Sequence, residues 1–272
     1  MRRVSIFIYG VIAYAVFFVA FLYAIGFVTN LIVPKSIDSA VGGPLAEALI
    51  IDLALLALFA VQHSVMARPG FKKWWTRIIP KEAERPTFVL FASLILLLMF
   101  WQWRPIGGVI WDVQQPGLRI ALQALGLGGF LIVLITTFLI NHFDLFGLRQ
   151  VWSYLRGREY KPLKFVTPGP YRYVRHPMYI GFILGFWSTP TMTVAHLVFA
   201  IMTTAYILVA IRLEERDLVH AHGSDYVIYR KHTPMIIPKL TPFDSRALVL
   251  DPVRAGVPVG QTSLKPRPGE AE

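Results

Sequence analysis

Polar and ionisable side chains gather at four points of an otherwise apolar chain. They are Gln62-His63-Ser64, Asn141-His142-Phe143-Asp144, the elbow Tyr171-Arg-Tyr-Val-Arg-His-Pro-Met-Tyr179, and Arg212-Leu-Glu214-Glu215-Arg-Asp217. Each lies at the end of a hydrophobic run, and ionisable groups at a membrane boundary are costly and often functional. His142, with Asp144 two residues on, has the composition of a general base oriented by a carboxylate. His63 could fill the same role or bind a metal. Each has a plainer explanation: His142 as a helix C-terminal cap with Asp144 holding loop charges, and His63 as a hydrogen-bonded interfacial histidine.

The elbow suits anion binding. Pro177 fits the first position of a helix, whose N-terminus offers free N–H groups and a partial positive charge. Arg172 and Arg175 add cationic character, and Tyr171, Tyr173 and Tyr179 supply flat, amphipathic walls. A nucleotide-like cofactor, with an anionic end and an aromatic ring, matches this set. An interfacial anchor gripping lipid headgroups matches it equally well. Glu214 and Glu215 return to the elbow's level at the end of a later span. For Glu215 a salt bridge to Arg172, Arg175, Arg212 or Arg216 is the favoured reading. For Glu214 a ligand role, beside a group carrying amine or hydroxyl functions, is at least as good.

The elements that must position these groups are membrane helices. The chain of 272 residues is 55% hydrophobic, with mean hydropathy +0.54, too apolar for an ordinary soluble domain. The absence of cysteine excludes disulfides, cysteine metal sites and cysteine nucleophiles. Met1-Arg2-Arg3 precedes a long apolar run with no small-residue cleavage site after it, so the run reads as a first span and not as a cleaved signal. Spans are expected near 5–29, 45–66, 88–103 and 120–140. The run from Met178 to Ile211 is too long for one span and is broken by Ser188-Thr-Pro-Thr191. It reads as a hairpin of a short helix, 178–188, and a full one, 192–213. The fold class is therefore an all-α integral membrane protein with about six membrane segments, the last two a C-terminal hairpin.

Charge sets the orientation. Loop 67–86 carries six Lys/Arg, loop 142–176 seven and the segment after Glu214 eight, whereas 31–44 has only Lys35 and 104–118 only Arg104. This alternation places both termini in the cytoplasm of a bacterial inner membrane, with the four polar clusters and a cofactor site at the cytoplasmic face. The net charge of +11 then reflects loops facing anionic lipid, and no nucleic-acid partner is implied. Trp101, Trp103 and Trp111 are expected in the outer aromatic belt, and Trp74 and Trp75 in the inner one. Residues 1–240 read as one polytopic domain, a four-span part to 141 followed by elbow, hairpin and cap from 142. Residues 241–272 read as a mobile tail.

Three separated blocks carry a family resemblance: Tyr171 to Gly181, Glu214-Glu215, and Tyr226-Val-Ile-Tyr229-Arg-Lys-His-Thr-Pro234. Together they resemble the C-terminal signature of isoprenylcysteine carboxyl methyltransferases and related membrane methyltransferases. Phe59 to Arg68 resembles NnrU-type membrane proteins. With Asn141 to Gln150, which brings Arg149 among the catalytic candidates, the combination resembles the methanethiol S-methyltransferases, which make dimethyl sulfide. The resemblance implies S-adenosylmethionine as cofactor and a small thiol as substrate. Cofactor contacts carried over residue by residue fall on Leu163, Lys164, Phe165, Val166, Tyr171, Arg175, His176, Pro177, Met178, Tyr179 and Glu214. Its methionine carboxylate would favour the helix N-terminus and arginine, its ammonium Glu214, and its sulfonium aromatic faces. The prenylcysteine enzymes carry an arginine one turn before the carboxylates, where this chain has Ala210. That departure fits a small neutral thiol better than a carboxylate substrate.

The thiol could be activated by a base, His142 paired to Asp144, or by the cofactor's positive charge in a water-poor pocket. Rival classes are a haem-dependent isomerase using His63, a sterol-type reductase, and a headgroup-binding scaffold. Neither a resident metal nor an obligate protein partner is expected; membrane lipid is.

Overall fold

The computed structural model describes residues 1–39 and 43–250, and of 249 and 250 the backbone alone. Five helices are long and apolar enough to cross a membrane: α1 (Arg2–Thr29), α2 (Leu45–Ala67), a span over Lys81–Gln102 whose α-helical part is α4 (Glu84–Gln102), α5 (Pro116–Ile140) and α9 (Val194–His222). A short α3 (Pro69–Trp75) follows α2, while α6 (His142–Leu145) and α7 (Leu148–Leu155) follow α5. The short apolar α8 (Pro177–Trp187) is the first arm of the expected hairpin. The protein is a helical integral membrane protein.

The chain divides into two compact units. The first holds residues 1–162 and 178–208. Within it α1 packs on α4, α5 and α7, and α2 on α4. Phe27, Met99, Phe100, Trp103, Phe130 and Phe199 form its core. Trp103 is a correction to the aromatic-belt expectation. It is 0% exposed, edge-on to Phe27 and Phe199, and its indole N–H donates to Ile37 O at 3.3 Å. Trp101 and Trp74 are exposed as a belt requires.

Helices α5 and α8 meet through glycine. A methyl group at Gly129 would lie 2.5 Å from the carbonyl oxygen of Gly181, and one at Gly181 would lie 2.6 Å from that of Gly129. Small residues give membrane helices this approach, and no side chain can yield where backbone meets backbone. The break after α8 carries a feature not read from sequence: β1 (Val109–Asp112) pairs antiparallel with β2 (Thr191–Thr193). Nearby, the Asp38 carboxylate accepts from Asn30 at 2.8 Å and from Thr193, and lies 3.3 Å from Nδ1 of the buried His196.

The second unit holds residues 163–177 and the chain from 209 onward. It contains the end of α9, then α10 (Ser224–His232) and α11 (Ala247–Leu250). Helix α9 runs nine residues past the expected end at 213, so Glu214 and Glu215 are helical. The elbow is stitched to the chain after α10 by backbone bonds: Arg175 N to Pro234 O, His176 N to Met235 O, Lys239 N to Tyr173 O and Phe243 N to Arg172 O, at 2.7–3.2 Å. Phe243 is buried against Tyr229. The expected tail from 241 is thus packed as far as this aromatic anchor, because backbone pairing and ring burial hold it. Residues 251–272 lie outside the described residues.

Candidate functional site

The sequence-predicted residues fall into two groups, one in each unit. In the second unit the elbow is framed by a buried ion pair. Arg175 Nε donates to Glu215 Oε1 at 2.7 Å, and the same oxygen lies 3.0 Å from His176 Nε2. The Arg175 guanidinium also donates to the carbonyls of Arg230 (2.9 Å) and Thr233. These bonds satisfy the charges that burial would otherwise penalise. They also commit Arg175 to framing the elbow. Glu215 is engaged as the favoured salt-bridge reading required. Glu214, one residue away, has a side chain 41% exposed, 3.9 Å from His176 Nδ1.

An aromatic wall surrounds this frame. Phe165 contacts His222, Tyr226 and Tyr229 at 5.3, 5.9 and 5.4 Å between ring centres. The Tyr229 hydroxyl donates to Tyr171 O at 2.5 Å. Burial, and then the Glu214 charge, raise the Tyr171 phenol well above its ordinary range. Leu163 is half-buried, and Lys164 and Val166 are exposed, on the extended strip before the elbow. Pro177 opens α8, whose next residues Met178 and Tyr179 belong to the first unit.

Two hydroxyls here have no hydrogen-bond partner among the described residues: Tyr226 Oη and Thr233 Oγ1, both on residues 2% exposed. Buried polar groups are ordinarily paired, so each offers a donor and acceptor to a ligand. The Tyr226 phenol is raised by burial and then by the Glu215 charge, so it stays protonated and able to donate. A carboxylate, two unpaired hydroxyls and an aromatic wall fit a ligand with an ammonium, hydroxyls and a ring, as S-adenosylmethionine has. Sequence reasoning quoted Tyr226 as part of a motif but gave it no role.

In the first unit, Asn141 ends α5 with φ 146° and ψ 91°, a conformation costly for a residue with a side chain. Its side-chain oxygen accepts from Asp144 N at 3.0 Å. This turn separates the expected His142–Asp144 pair, which is corrected here. His142 lies between Tyr14 Oη on its Nε2 and Thr137 Oγ1 on its Nδ1, each at 2.8 Å. Asp144 instead accepts from Arg149 at 2.9 Å and from Tyr160 Oη at 3.2 Å. Arg149 also donates to Lys161 O and covers the Tyr160 ring. Burial lowers the His142 imidazole below its ordinary range. The turn needs glycine at 147, where φ is 87° and a methyl group would strike the Pro86 ring at 2.6 Å.

His63 is stacked on Phe59 at 5.2 Å and tilted to Phe88 at 4.9 Å, and its buried Nδ1 has no partner among the described residues. The adjacent Ser64 hydroxyl lies 3.2 Å from Tyr206 Oη. Among the described residues no three His, Asp or Glu side chains gather into a metal-binding group.

Residues 123–224, which include α8, the elbow and both carboxylates, match the family described as phospholipid methyltransferase. The chain is 57% identical over 238 residues to a methanethiol S-methyltransferase of Crocosphaera subtropica, covering 88% of this chain and 93% of that one. It belongs to the methanethiol S-methyltransferase family. A second member, methanethiol S-methyltransferase 1 of Bradyrhizobium diazoefficiens, is 56% identical over 85% of this chain and 81% of its own. A third, from Mycobacterium tuberculosis, is 53% identical over 88% and 98%. No solved structure matches the chain.

Proposed function

We propose that this membrane methyltransferase transfers a methyl group from S-adenosylmethionine to methanethiol, giving dimethyl sulfide. The agreement over 88% of the chain with proteins bearing that name carries the reading. The Tyr226 and Thr233 hydroxyls, unpaired among the described residues, and the half-exposed Glu214 carboxylate support the choice of donor. When bound, the cofactor supplies an electrophilic methyl on a sulfonium. Glu214 would take its ammonium, Tyr226 and Thr233 its polar groups, and Phe165 with Tyr171 its ring. Arg175, His176 and Glu215 hold the elbow in shape, and Pro177, Met178 and Tyr179 open the helix whose N-terminus favours a carboxylate. His142 is the candidate proton acceptor. Asp144 and Arg149 brace the turn that presents it, and His63 lines the apolar side of the same unit.

The basic loops support an orientation with both termini in the cytoplasm of a bacterial inner membrane. The test is purified protein incubated with S-adenosylmethionine and methanethiol, with headspace mass spectrometry for dimethyl sulfide and a panel of longer thiols alongside. Product from methanethiol supports the reading. Donor binding without product from any thiol overturns the acceptor, and no donor binding overturns the whole.

A further inference from the structure

The hydrogens around His142 fix which group can meet a thiol. Thr137 Oγ1 lies 2.7 Å from Leu134 O and 2.8 Å from His142 Nδ1. A carbonyl only accepts, so the single hydroxyl hydrogen of Thr137 goes to Leu134, and Thr137 must accept from Nδ1–H. A neutral imidazole carries one N–H. Nε2 is therefore bare, and the Tyr14 hydroxyl at 2.8 Å donates to it.

Both ring nitrogens are thus taken. The ring itself is 2% exposed, stacked at 4.2 Å on Phe138 and flanked by Phe143 and Phe146. A substrate cannot touch His142 without dismantling this packing. Tyr14 differs. It is half-buried, it spends its hydrogen on Nε2, and its oxygen keeps two lone pairs. Phe17, Phe18, Phe143 and Phe146 surround its ring at 6.0–6.5 Å, which gives the hydroxyl an apolar setting suited to a small alkyl thiol. Tyr14 is the titratable group facing the imidazole from α1. From α5 and α6 its neighbours are Thr137 and phenylalanines, and Asp144 is turned to Arg149 and Tyr160.

We propose that Tyr14 is the residue that takes the thiol proton, with His142 behind it as the final acceptor; this rests on the thiol-methylation reading above. The S–H bond breaks and its proton goes to Tyr14 Oη as the Tyr14 proton passes to Nε2. The sulfur electron pair forms the new S–CH3 bond, and the pair of the broken methyl–sulfonium bond stays on the donor's sulfur as a neutral thioether. After the product leaves, the proton returns along the same bonds: Nε2 gives its proton back to Tyr14 Oη as Tyr14 releases one to water. His142 acts through Tyr14, Thr137 fixes the tautomer, and Asn141 sets the ring's direction.

Tyr14→Phe keeps the ring and removes the relay. The turnover rate at pH 7 falls about 100-fold or more, the loss expected for a general base, while S-adenosylmethionine affinity is unchanged. The deficit shrinks as pH rises and the thiol ionises in solution. A readout free of turnover is nitrogen NMR of His142: the wild-type ring carries its hydrogen on Nδ1, and in Tyr14→Phe it titrates at higher pH because the donor that favoured the neutral form is gone. An unchanged rate and pH profile in Tyr14→Phe, or a wild-type ring protonated on Nε2, overturns the proposal. If Tyr14→Phe does not fold, 3-fluorotyrosine at position 14 lowers the phenol pKa with the ring in place. The acid limb of the rate profile must then move, and a fixed limb overturns the relay. Failure of the underlying function would look different: wild-type protein would yield no dimethyl sulfide at all.

Discussion

The elbow of the second unit and the histidine corner of the first treat buried polar groups in opposite ways. At the corner, both nitrogens of His142 and the hydrogens of Tyr14 and Thr137 are paired within the protein. In the second unit, Tyr226 and Thr233 bury hydroxyls that no described residue satisfies. Unpaired buried groups cost about 1–3 kcal/mol each, and a bound ligand recovers that cost. The difference matches the two proposed tasks: a ligand would complete the pairing in the second unit, whereas the corner has its bonds already made and would pass a proton along them.

Substitutions can break this contrast. The largest stability effect belongs to the elbow's frame. Arg175→Ala leaves Glu215 with His176 alone and costs about 1.5–3 kcal/mol, read as a lowered unfolding midpoint in detergent; an unchanged midpoint would show that the pair does not hold the elbow. Tyr226→Phe removes an unpaired hydroxyl. It leaves the ligand-free midpoint unchanged or raised, yet weakens S-adenosylmethionine binding up to about tenfold, measured by calorimetry. Thr137→Val removes a paired one. It costs about 1 kcal/mol, frees the imidazole to switch tautomer, and leaves donor binding intact.

The smallest effect is on pH dependence. Burial holds the folded His142 below its ordinary value, so between that lowered value and about 6.5 the unfolded chain binds the additional proton. Stability is therefore lost as pH falls through about 6.5, and the loss stops once the folded ring also protonates. Unfolding midpoints measured from pH 8 to 5 should show this component in the wild type and lack it in His142→Phe.

Much of the frame could be read from residue types. Pro177 marks the start of α8, the Thr-Pro-Thr break divides the hairpin, and a carboxylate returning to the elbow's level leaves Glu215 four candidate arginines, of which the structure selects Arg175. Other features depend on geometry that local pattern does not encode. His142 and Asp144 are close in sequence, but the unusual Asn141 backbone aims them apart. Trp103 resembles a belt tryptophan until the loop carbonyl of Ile37 gives its indole a buried partner. Tyr14 sits in an apolar helix with no polar neighbour along the chain, and its hydrogen-bond partner is 128 positions away. One signal was available: a phenol within a span must find a hydrogen-bond partner. The end of α9 was drawn at the first charges, yet a helix carries Glu214 and Glu215 without strain and continues to His222.

The division of labour is tested most directly by one titration, S-adenosylmethionine into the wild-type protein, Tyr226→Phe and Tyr14→Phe, followed by heat. The account predicts that Tyr14→Phe binds as the wild type does and that Tyr226→Phe binds several-fold more weakly. Weakened binding in Tyr14→Phe with unaltered binding in Tyr226→Phe would contradict it.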